Sequence, residues 1–263
     1  MTNAAMHVAR TGLDAQNMKM RVIANNLANV NSAGFKRDRA EFESLAYQQM
    51  TAAGAPSDAA NRFALGQSLG TGVRVAGMTR IDTQGTLTGS GNALDMAIEG
   101  AGYFQVAMPD GRTAYTRAGN FSLTAEGTMV TASGLPLVPQ IQVPQGAASV
   151  TIGSDGTVSA MLAGESAPTE LGRIETASFV NSAGLESIGN NLLVETAASG
   201  AAQVGAAGSD GRGSIRQAML EGSNVNIVEE LVEMIETQRA YEVNSKMIQT
   251  TDEMLQFVNQ QIG

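Results

Sequence analysis

The 263-residue sequence contains no cysteine and no tryptophan, one histidine, and only 4% aromatic residues. Without cysteine, the chain has no disulfide, no thiolate nucleophile and none of the thiolate ligands used by most structural zinc sites. The single histidine, His7, lies in a predicted helix away from any cluster of catalytic residue types, so no Ser-His-Asp triad can form around it. We therefore expect no catalytic residues, no cofactor, no metal site and no enzymatic activity.

Two patterns that resemble ligand-binding motifs are incomplete. The segment Gly100-Ala-Gly102 lacks the third glycine and the following helix of a dinucleotide-binding loop. The segments beginning at Asp110 and Asp155 lack the alternating carboxylates of an EF-hand, so they predict turns. A carboxylate pair for glycoside hydrolysis stays open from sequence alone, although the aromatic platforms typical of such sites are scarce.

Long apolar runs are also missing. No stretch approaches the ~20 apolar residues of a membrane span, and no charged segment followed by an apolar one opens the chain. The net charge of −9 disfavours general binding to nucleic acid. We expect no membrane insertion, no nucleic-acid partner and no cleaved signal peptide.

Apolar residues recur with helical spacing at both ends of the chain. In the first segment they alternate in steps of three and four, which is the spacing of a coiled-coil seam: Met6, Ala9, Leu13, Gln16, Met20, Ile23, Leu27 and Val30. The last segment has a polar-interrupted stripe: Ile227, Leu231, Met234, Tyr241, Ile248, Leu255, Val258 and Ile262, with Gln238, Ser245, Asp252 and Asn259 between them. Two ordinary amphipathic helices on one core remain the alternative.

The charges of the two end segments are complementary. Residues 1–40 carry six Lys or Arg against two Asp, whereas residues 221–263 carry eight acidic residues against two basic ones. Segments of opposite charge attract, so we predict that the ends pair as a coiled coil. The first helix is expected over about 2–30, and Asn226 is expected to cap the second, with Glu229 completing a capping box. Periodicity alone does not distinguish pairing within the chain from pairing with a neighbouring subunit.

The middle of the chain has a different pattern. All six prolines lie there, and from residue 72 to 220 apolar residues alternate with polar ones between frequent turns. A polar-Gly-Thr-apolar motif at 84–87, 126–129 and 155–158 predicts tight hairpins with a glycine at positive φ. The fold class is therefore α+β: a terminal helical domain (1–34 and 221–263), an extended linker (35–71), and a β-rich domain of short antiparallel strands (72–220).

Two motifs at the ends resemble those of the flagellar rod and hook axial proteins. The first is Ala-Asn-Asn-Leu-Ala-Asn-Val-Asn-Ser-Ala-Gly-Phe-Lys at 24–36; the second covers 221–232 and 234–246. Central segments at 97–106, 114–121 and 179–189 are also similar to rod members of this family. The signature residues are Asn25, Asn26, Asn29, Gly34, Phe35, Lys36, Ser223, Asn224, Val225, Gln238, Arg239, Ala240 and Tyr241.

The resemblance implies a structural subunit that polymerises with itself into a helical tube inside the basal body. Implied partners are proximal rod subunits, the hook protein or hook junction, the P-ring and L-ring proteins, and the flagellar type III export apparatus. It also implies paired terminal helices on the inside of the tube and the β-domain on the outside. The assembly seam would then comprise Leu13, Met20, Ile23, Leu27, Leu231, Met234, Tyr241 and Ile248.

Chain length and one internal segment favour a subunit of the distal rod. Hook members of the family carry an additional outer domain, for which 263 residues leave no room. The stretch 47–63 lies where distal rod members carry an insertion associated with a straight, stiff rod. The alternatives are a proximal rod or hook-type subunit and, from another class, a secreted β-rich adhesin or glycan-active enzyme.

Overall fold

The computed structural model describes residues 2–56, 62–162 and 167–262. The side chains of Leu255, Val258, Asn259 and Ile262, and residues 57–61 of the predicted insertion, lie outside the described part. The chain divides into two compact units. We call Met1–Leu27, Asp38–Thr79 and Asn226–Gly263 the helical unit, and Ala28–Arg37 and Arg80–Val225 the β unit.

The described residues of the helical unit form two long helices and four strands. Strand β1 pairs with β4, and β2 pairs antiparallel with β3 as a two-stranded ribbon. Segment 35–71, predicted as an extended linker, thus contains three strands. The elements are α1 (Thr2–Ala28), β1 (Asp38–Ser44), β2 (Tyr47–Thr51), β3 (Gln67–Gly70), β4 (Val73–Arg80) and α2 (Ile227–Ile262).

The helix limits follow from local hydrogen bonds. The Asn226 side-chain oxygen accepts a 3.0 Å hydrogen bond from the Val228 N–H, and the Asn226 carbonyl accepts one from the Glu230 N–H. This is the geometry of an N-cap, so the predicted start of the second helix is confirmed. Helix α1 ends at Ala28, two residues before the predicted limit, because the chain turns at Asn29, whose carbonyl accepts the Ser32 N–H.

The β unit consists of short antiparallel strands, as predicted. Its largest sheet has the order β16-β17-β8-β7-β15-β18, with β11 also paired to β7; β12-β13-β14 form a second sheet, and β5-β20, β6-β19 and β9-β10 form pairs. The strands are β5 (Leu87–Gly89), β6 (Met96–Glu99), β7 (Tyr103–Ala107), β8 (Thr113–Thr116), β9 (Phe121–Leu123), β10 (Met129–Thr131), β11 (Leu137–Val138), β12 (Ala147–Ile152), β13 (Thr157–Leu162), β14 (Thr169–Arg173), β15 (Glu175–Ser178), β16 (Glu186–Gly189), β17 (Leu192–Val194), β18 (Gln203–Ala206), β19 (Ser214–Gln217) and β20 (Met219–Glu221), with a 3₁₀ turn at Ser182–Gly184.

Strand β7 is buried on both faces. Phe104 and Val106 belong to the main core, where the rings of Phe104 and Phe121 pack edge to face with their centroids 5.3 Å apart. Tyr103 points the other way, into a smaller cluster with Tyr115. Because successive strand residues face opposite sides, one strand serves two apolar layers. The β unit therefore has a continuous core of its own.

The Gly-Thr motifs form hairpins at two of the three predicted places. Gly127 and Gly156 have φ of +81° and +89° and close the β9–β10 and β12–β13 turns, so these predictions are confirmed. The prediction at 84–87 is wrong. Strand β5 pairs with the distant β20, and Gly85 lacks positive φ; the carbonyl of Gly222 occupies the space that a Cβ would need.

Neither membrane nor metal features occur in the part of the chain that the structure describes. Neither α1 nor α2 is apolar enough to cross a bilayer, and no three His, Cys, Asp or Glu side chains come together to hold a metal ion.

Candidate assembly site

Helices α1 and α2 contact each other and run antiparallel. A Cβ at Gly12 would lie 3.1 Å from the Asn244 side-chain nitrogen, and fourteen residues further along α1, Asn26 donates a 3.3 Å hydrogen bond to Glu230. The partners on α2 are likewise fourteen residues apart, in the reverse order. This separation is two heptads, which is the period that keeps one face of a helix against its neighbour.

An ion pair links the two helices. Lys19 Nζ lies 3.6 Å from a carboxylate oxygen of Glu233, and both side chains are about one third exposed. An ion pair with this much solvent contributes at most about 1 kcal/mol. Charge therefore selects the pairing partner more than it stabilises the pair.

The signature residue Asn26 ties α1 to the start of β1. Its side-chain oxygen accepts the Asp38 N–H at 3.0 Å, and its nitrogen donates to the Asp38 carbonyl at 2.9 Å and to Glu230. Asn26 is 1% exposed; its bond to Glu230 is buried, and its two bonds to the Asp38 backbone are partly buried. An apolar residue here would leave a strand end and a buried carboxylate without these partners.

The predicted seam residues are not equally buried. Ile23 is fully buried, whereas Leu231 is 43% exposed and lies beside the open face of α2. The remaining six are half-buried and thus available for further contact: Leu13, Met20, Leu27, Met234, Tyr241 and Ile248.

Helix α2 exposes its apolar residues and buries polar ones. The buried residues on the face toward α1 include Glu230, Thr237 and Thr251. A set of apolar side chains along α2 is exposed, and we call this set the outer stripe; Val228 and Phe257, near the two ends of the helix, are 69% and 62% exposed. Its members are Val228, Val232, Ile235, Val243, Met247, Met254 and Phe257. An exposed apolar surface of this length marks a protein–protein contact.

The β2–β3 ribbon also presents apolar side chains to solvent. Tyr47, Met50 and Leu69 on its strands are exposed, as is Leu65 just before β3. A two-stranded ribbon without a covered face is marginally stable in water. Strand β2 lies within the predicted rod-type insertion, and β3 follows that insertion in the chain.

In the β unit, signature residue Lys36 belongs to a buried cluster of three charges. Lys36 Nζ donates to Glu221 at 2.5 Å, and Arg117 donates to the other carboxylate oxygen of Glu221 at 3.2 Å. The three side chains are 3%, 0% and 6% exposed, in the order Lys36, Glu221, Arg117. Further donors and acceptors come from backbone: Glu221 accepts the Gly85 N–H, and Lys36 donates to the Thr83 carbonyl. We call this group the ion cluster.

Burial shifts the pKa of Lys36, in the ion cluster, and of Tyr103, next to it. Desolvation lowers the pKa of Lys36 below its ordinary value, and the hydrogen bond to Glu221 opposes that shift. Burial, reinforced by the charge of Asp82, raises the pKa of Tyr103, over whose ring the Arg117 guanidinium lies at 5.4 Å. The guanidinium of Arg117 thus has both the Glu221 carboxylate and the face of the Tyr103 ring as neighbours.

Two other signature residues hold the segments that lead out of the β unit. Gly34 has φ of +69° and donates its N–H to the Glu221 carbonyl; a Cβ at this position would lie only 2.5 Å from the Ala118 nitrogen. Asn224 accepts the Arg37 N–H at 2.7 Å and donates to the Ile81 carbonyl at 2.7 Å. The chain leaving α1 and the chain approaching α2 are therefore fixed to the same part of the β unit.

The other signature residues have varied surroundings. Val225 is buried; Asn25, Gln238 and Arg239 are exposed or only partly covered; Asn29, Phe35, Ser223, Ala240 and Tyr241 are half-buried. Sequence reasoning missed Glu221 and Arg117 as partners of Lys36, because their positions are 104 residues apart and neither carries a local pattern. The lysine at the end of the signature motif is the one signal that would have prompted a search for its charged partners.

This geometry defines a class: a structural protein with a self-contained β unit and terminal helices whose apolar surface is completed by association. Three family models match the chain. They are the flagella basal body rod protein model (residues 6–36), the flagellar hook protein FlgE/F/G D1 domain (97–160), and the flagellar basal body rod FlgEFG protein C-terminal model (216–261).

Curated relatives extend the match to almost the full chain. The chain is 48% identical to the flagellar basal-body rod protein FlgG of Buchnera aphidicola subsp. Acyrthosiphon pisum, over 97% of this chain and 98% of that protein. It is 46% identical to FlgG of Caulobacter vibrioides, with the same coverage, and 33% identical to FlgF of that organism, over 92% of this chain and 91% of the relative. The chain belongs to the family of flagellar basal-body rod proteins, and the resemblance found in its motifs is confirmed. This is a family of structural proteins of the flagellar basal body.

Proposed function

We propose that this chain is a subunit of the flagellar distal rod, the drive shaft that transmits motor torque to the hook. Copies polymerise into a helical tube, through whose lumen later exported subunits pass. The outer stripe of α2 carries this proposal, because it gives each copy an apolar surface that association with a neighbour would remove from water. The family membership supplies the setting in which that neighbour is another axial subunit.

The distal position is supported over the proximal one by the relatives. Within one organism, Caulobacter vibrioides, the chain is 46% identical to FlgG and 33% identical to FlgF. Strand β2 of the exposed β2–β3 ribbon lies in the stretch 47–63, which the resemblance associates with a straight rod. Contacts made by this ribbon with neighbouring copies would stiffen the tube.

The proposed partners are further copies of this chain, proximal rod subunits, the hook protein or hook junction, the P-ring and L-ring proteins, and the export apparatus. The proposed location is the rod that spans from the periplasm to the outer membrane, reached by type III export. The helices pair as a coiled coil lining the lumen. Their polar-interrupted seams make them weak in isolation, which suits export as an open chain.

The test is electron microscopy of basal bodies from a motile host that lacks this gene. Rods truncated before the hook, and restored by the full chain, would support the proposal. A chain lacking residues 47–63 should yield curved or fragile rods. Complete hook-basal bodies in the deletion strain would contradict a distal rod function.

A point substitution refines the test. Leu231→Asp places a charge on a surface that association would bury, so we expect loss of assembly. Because Leu231 is substantially exposed in the single chain, the purified variant should fold normally, with the circular dichroism of the parent. Leu231→Met is the matched control, and a Leu231→Asp strain that swims normally would refute a role of this face in assembly.

A further inference from the structure

The β unit has a cleft of about 600 Å³ where four segments meet. These are the turn at 29–33, the segment 116–120 after β8, the tip of the loop at 131–133, and the β16–β17 turn at 190–192. The lining is made of asparagine, serine, threonine and alanine with one leucine, and includes neither a charged nor an aromatic side chain. The predicted signature therefore contributes Asn29 to this wall as well as Lys36 to the ion cluster.

The walls of the cleft are held in place by hydrogen bonds within the β unit. Asn191 donates to the Ala33 carbonyl at 3.0 Å, and Thr116 Oγ1 accepts the Ala118 N–H at 3.0 Å. At the loop tip, Thr131 Oγ1 accepts the Leu135 N–H. Such fixed walls mean that a ligand would find the site already formed.

Two amide side chains at the cleft remain without a partner. In the part of the chain that the structure describes, Asn120 and Asn190 make no side-chain hydrogen bond, and both are exposed. Asn190 and Asn191 have φ of 54° and 57°, as a two-residue hairpin turn requires, and this turn presents Asn190 at the cleft. Each free amide offers two donors and an acceptor.

The chemistry of the lining selects among ligand classes. No charged side chain lines the cleft to pair with an anion or hold a metal ion, no aromatic face is there for a sugar ring to stack on, and one leucine is too little apolar surface for a lipid. Side-chain amides and hydroxyls instead match the alternating N–H and C=O groups of an extended polypeptide. Absence of acidic groups also lets a second chain of net charge −9 approach without like-charge repulsion at this point.

We propose that this cleft receives an extended main-chain segment from a second copy of the same chain. The inference rests on the proposed function, because it requires that copies associate. It adds a contact made by the β units, separate from the outer stripe on α2. Asn120 and Asn190 are the residues that hydrogen-bond the incoming backbone.

The experiment uses a photocrosslinking amino acid at Ala132, an exposed residue at the cleft. The substitution Ala132→p-benzoylphenylalanine is introduced in the full chain, basal bodies are isolated, and products formed on irradiation are identified by mass and peptide mapping. We expect a dimer of this chain, with the crosslink joining residue 132 to a loop of the second copy. The soluble variant, irradiated at low concentration, is the control and should give no dimer.

Other outcomes overturn the inference. Rods that contain the variant but give no dimer, or that give a product with another protein or with a glycan, would eliminate self-association through this cleft while leaving the proposed function intact. Absence of the parent chain from rods would instead remove the proposed function itself.

A second variant covers the case in which the bulky group blocks assembly. Since the sequence has no cysteine, Ala132→Cys gives a unique thiol. We expect maleimide to label it at least tenfold more slowly in basal bodies than in the monomer, whereas Val180→Cys, at an exposed site outside the cleft lining, serves as the reference for general shielding. Equal ratios for the two thiols would overturn the inference.

Discussion

The core of the β unit and helix α2 of the helical unit bury different kinds of side chain. In the β unit, Phe104, Ile98 and Met129 are fully buried in one apolar core. In the helical unit, α2 buries Glu230 and Thr237, while many of its apolar residues form the exposed outer stripe. A helix of an independent soluble domain normally shows the reverse arrangement. The difference indicates that the β unit forms its core within a single chain, whereas helix α2 leaves an apolar surface for a partner to cover.

The signature motif acts in both units. Asn26 organises the junction of α1 with β1, whereas Gly34 and Lys36, eight to ten residues later, anchor the chain in the β unit. This explains why a short run of residues combines asparagines, a glycine and a lysine. The buried asparagine supplies hydrogen bonds, the glycine allows a close backbone approach, and the lysine supplies a buried charge. We infer that the motif serves the fold of the single subunit as much as its assembly.

The comparison is tested most strongly by hydrogen exchange on the soluble monomer. Amides of β7, which lies in the apolar core, should exchange only on global unfolding, whereas those of α2 should exchange through local opening, about 10²–10⁴ times faster. In isolated rods the difference should shrink, because neighbours cover the outer stripe. Equal protection of β7 and α2 in a monomer, verified as monomeric by light scattering, would show that the helical unit needs no partner.

The next effect concerns the ion cluster. Glu221→Gln removes the charge that compensates Lys36 and Arg117, both of which stay buried, and should lower the free energy of unfolding of the β unit by about 3 kcal/mol. Urea denaturation of the monomer, followed through the tyrosine signal of Tyr103 and Tyr115, measures the loss.

The matched control is Glu186→Gln, at an exposed strand position, which should leave the midpoint unchanged. The double variant Lys36→Met with Glu221→Gln should recover part of the loss, since one buried cation is then removed together with its partner. Additive losses in the double variant would contradict the coupling of these two side chains.

A smaller effect is expected in the helical unit. Asn26→Ala removes three hydrogen bonds of a buried side chain, to Asp38 and Glu230, and should destabilise this unit by about 1–3 kcal/mol. Thermal unfolding monitored by helical circular dichroism gives the measurement. Asn17→Ala, at an exposed position of α1, is the control, and a shift of equal size in both variants would argue against the role of Asn26.

Patterns within one element were predictable from the sequence. The N-cap at Asn226 and the turns at Gly127 and Gly156 depend on residues within a few positions of each other, and all three are found in the structure. The family was predictable for the same reason, because its motifs are contiguous. The alternation of polar and apolar residues likewise indicated the short strands of the β unit.

Long-range pairing was not predictable in this way. Strand β5 meets β20 rather than a neighbouring strand, and Glu221 on β20 meets Lys36 and Arg117, since each pairing depends on the closed topology of the β unit. For α2, spacing identified a stripe but gave equal weight to residues that face α1 and residues beside the open face, such as Leu231. A helix with two occupied faces carries two overlapping periodicities, and a single heptad pattern cannot separate them.

The smallest effect is a pH dependence of the β unit. The pKa of Tyr103 is raised above the ordinary 10.0, so its contribution to stability is complete below pH 10 and is lost above it, as the unfolded chain ionises first. The ionisation of Lys36 changes stability in the opposite direction. Its pKa is lowered from 10.5, so the free energy of unfolding rises as the pH approaches 10.5 and does not change further above it. Between about pH 10.5 and 11.5 the free energy of unfolding of the parent should therefore fall by about 1 kcal/mol more than that of Tyr103→Phe. Tyr115, whose pKa is also raised, is present in both proteins. Urea midpoints at the two pH values give the comparison, and parallel losses would mean that Tyr103 is as accessible to solvent as a tyrosine in the unfolded chain.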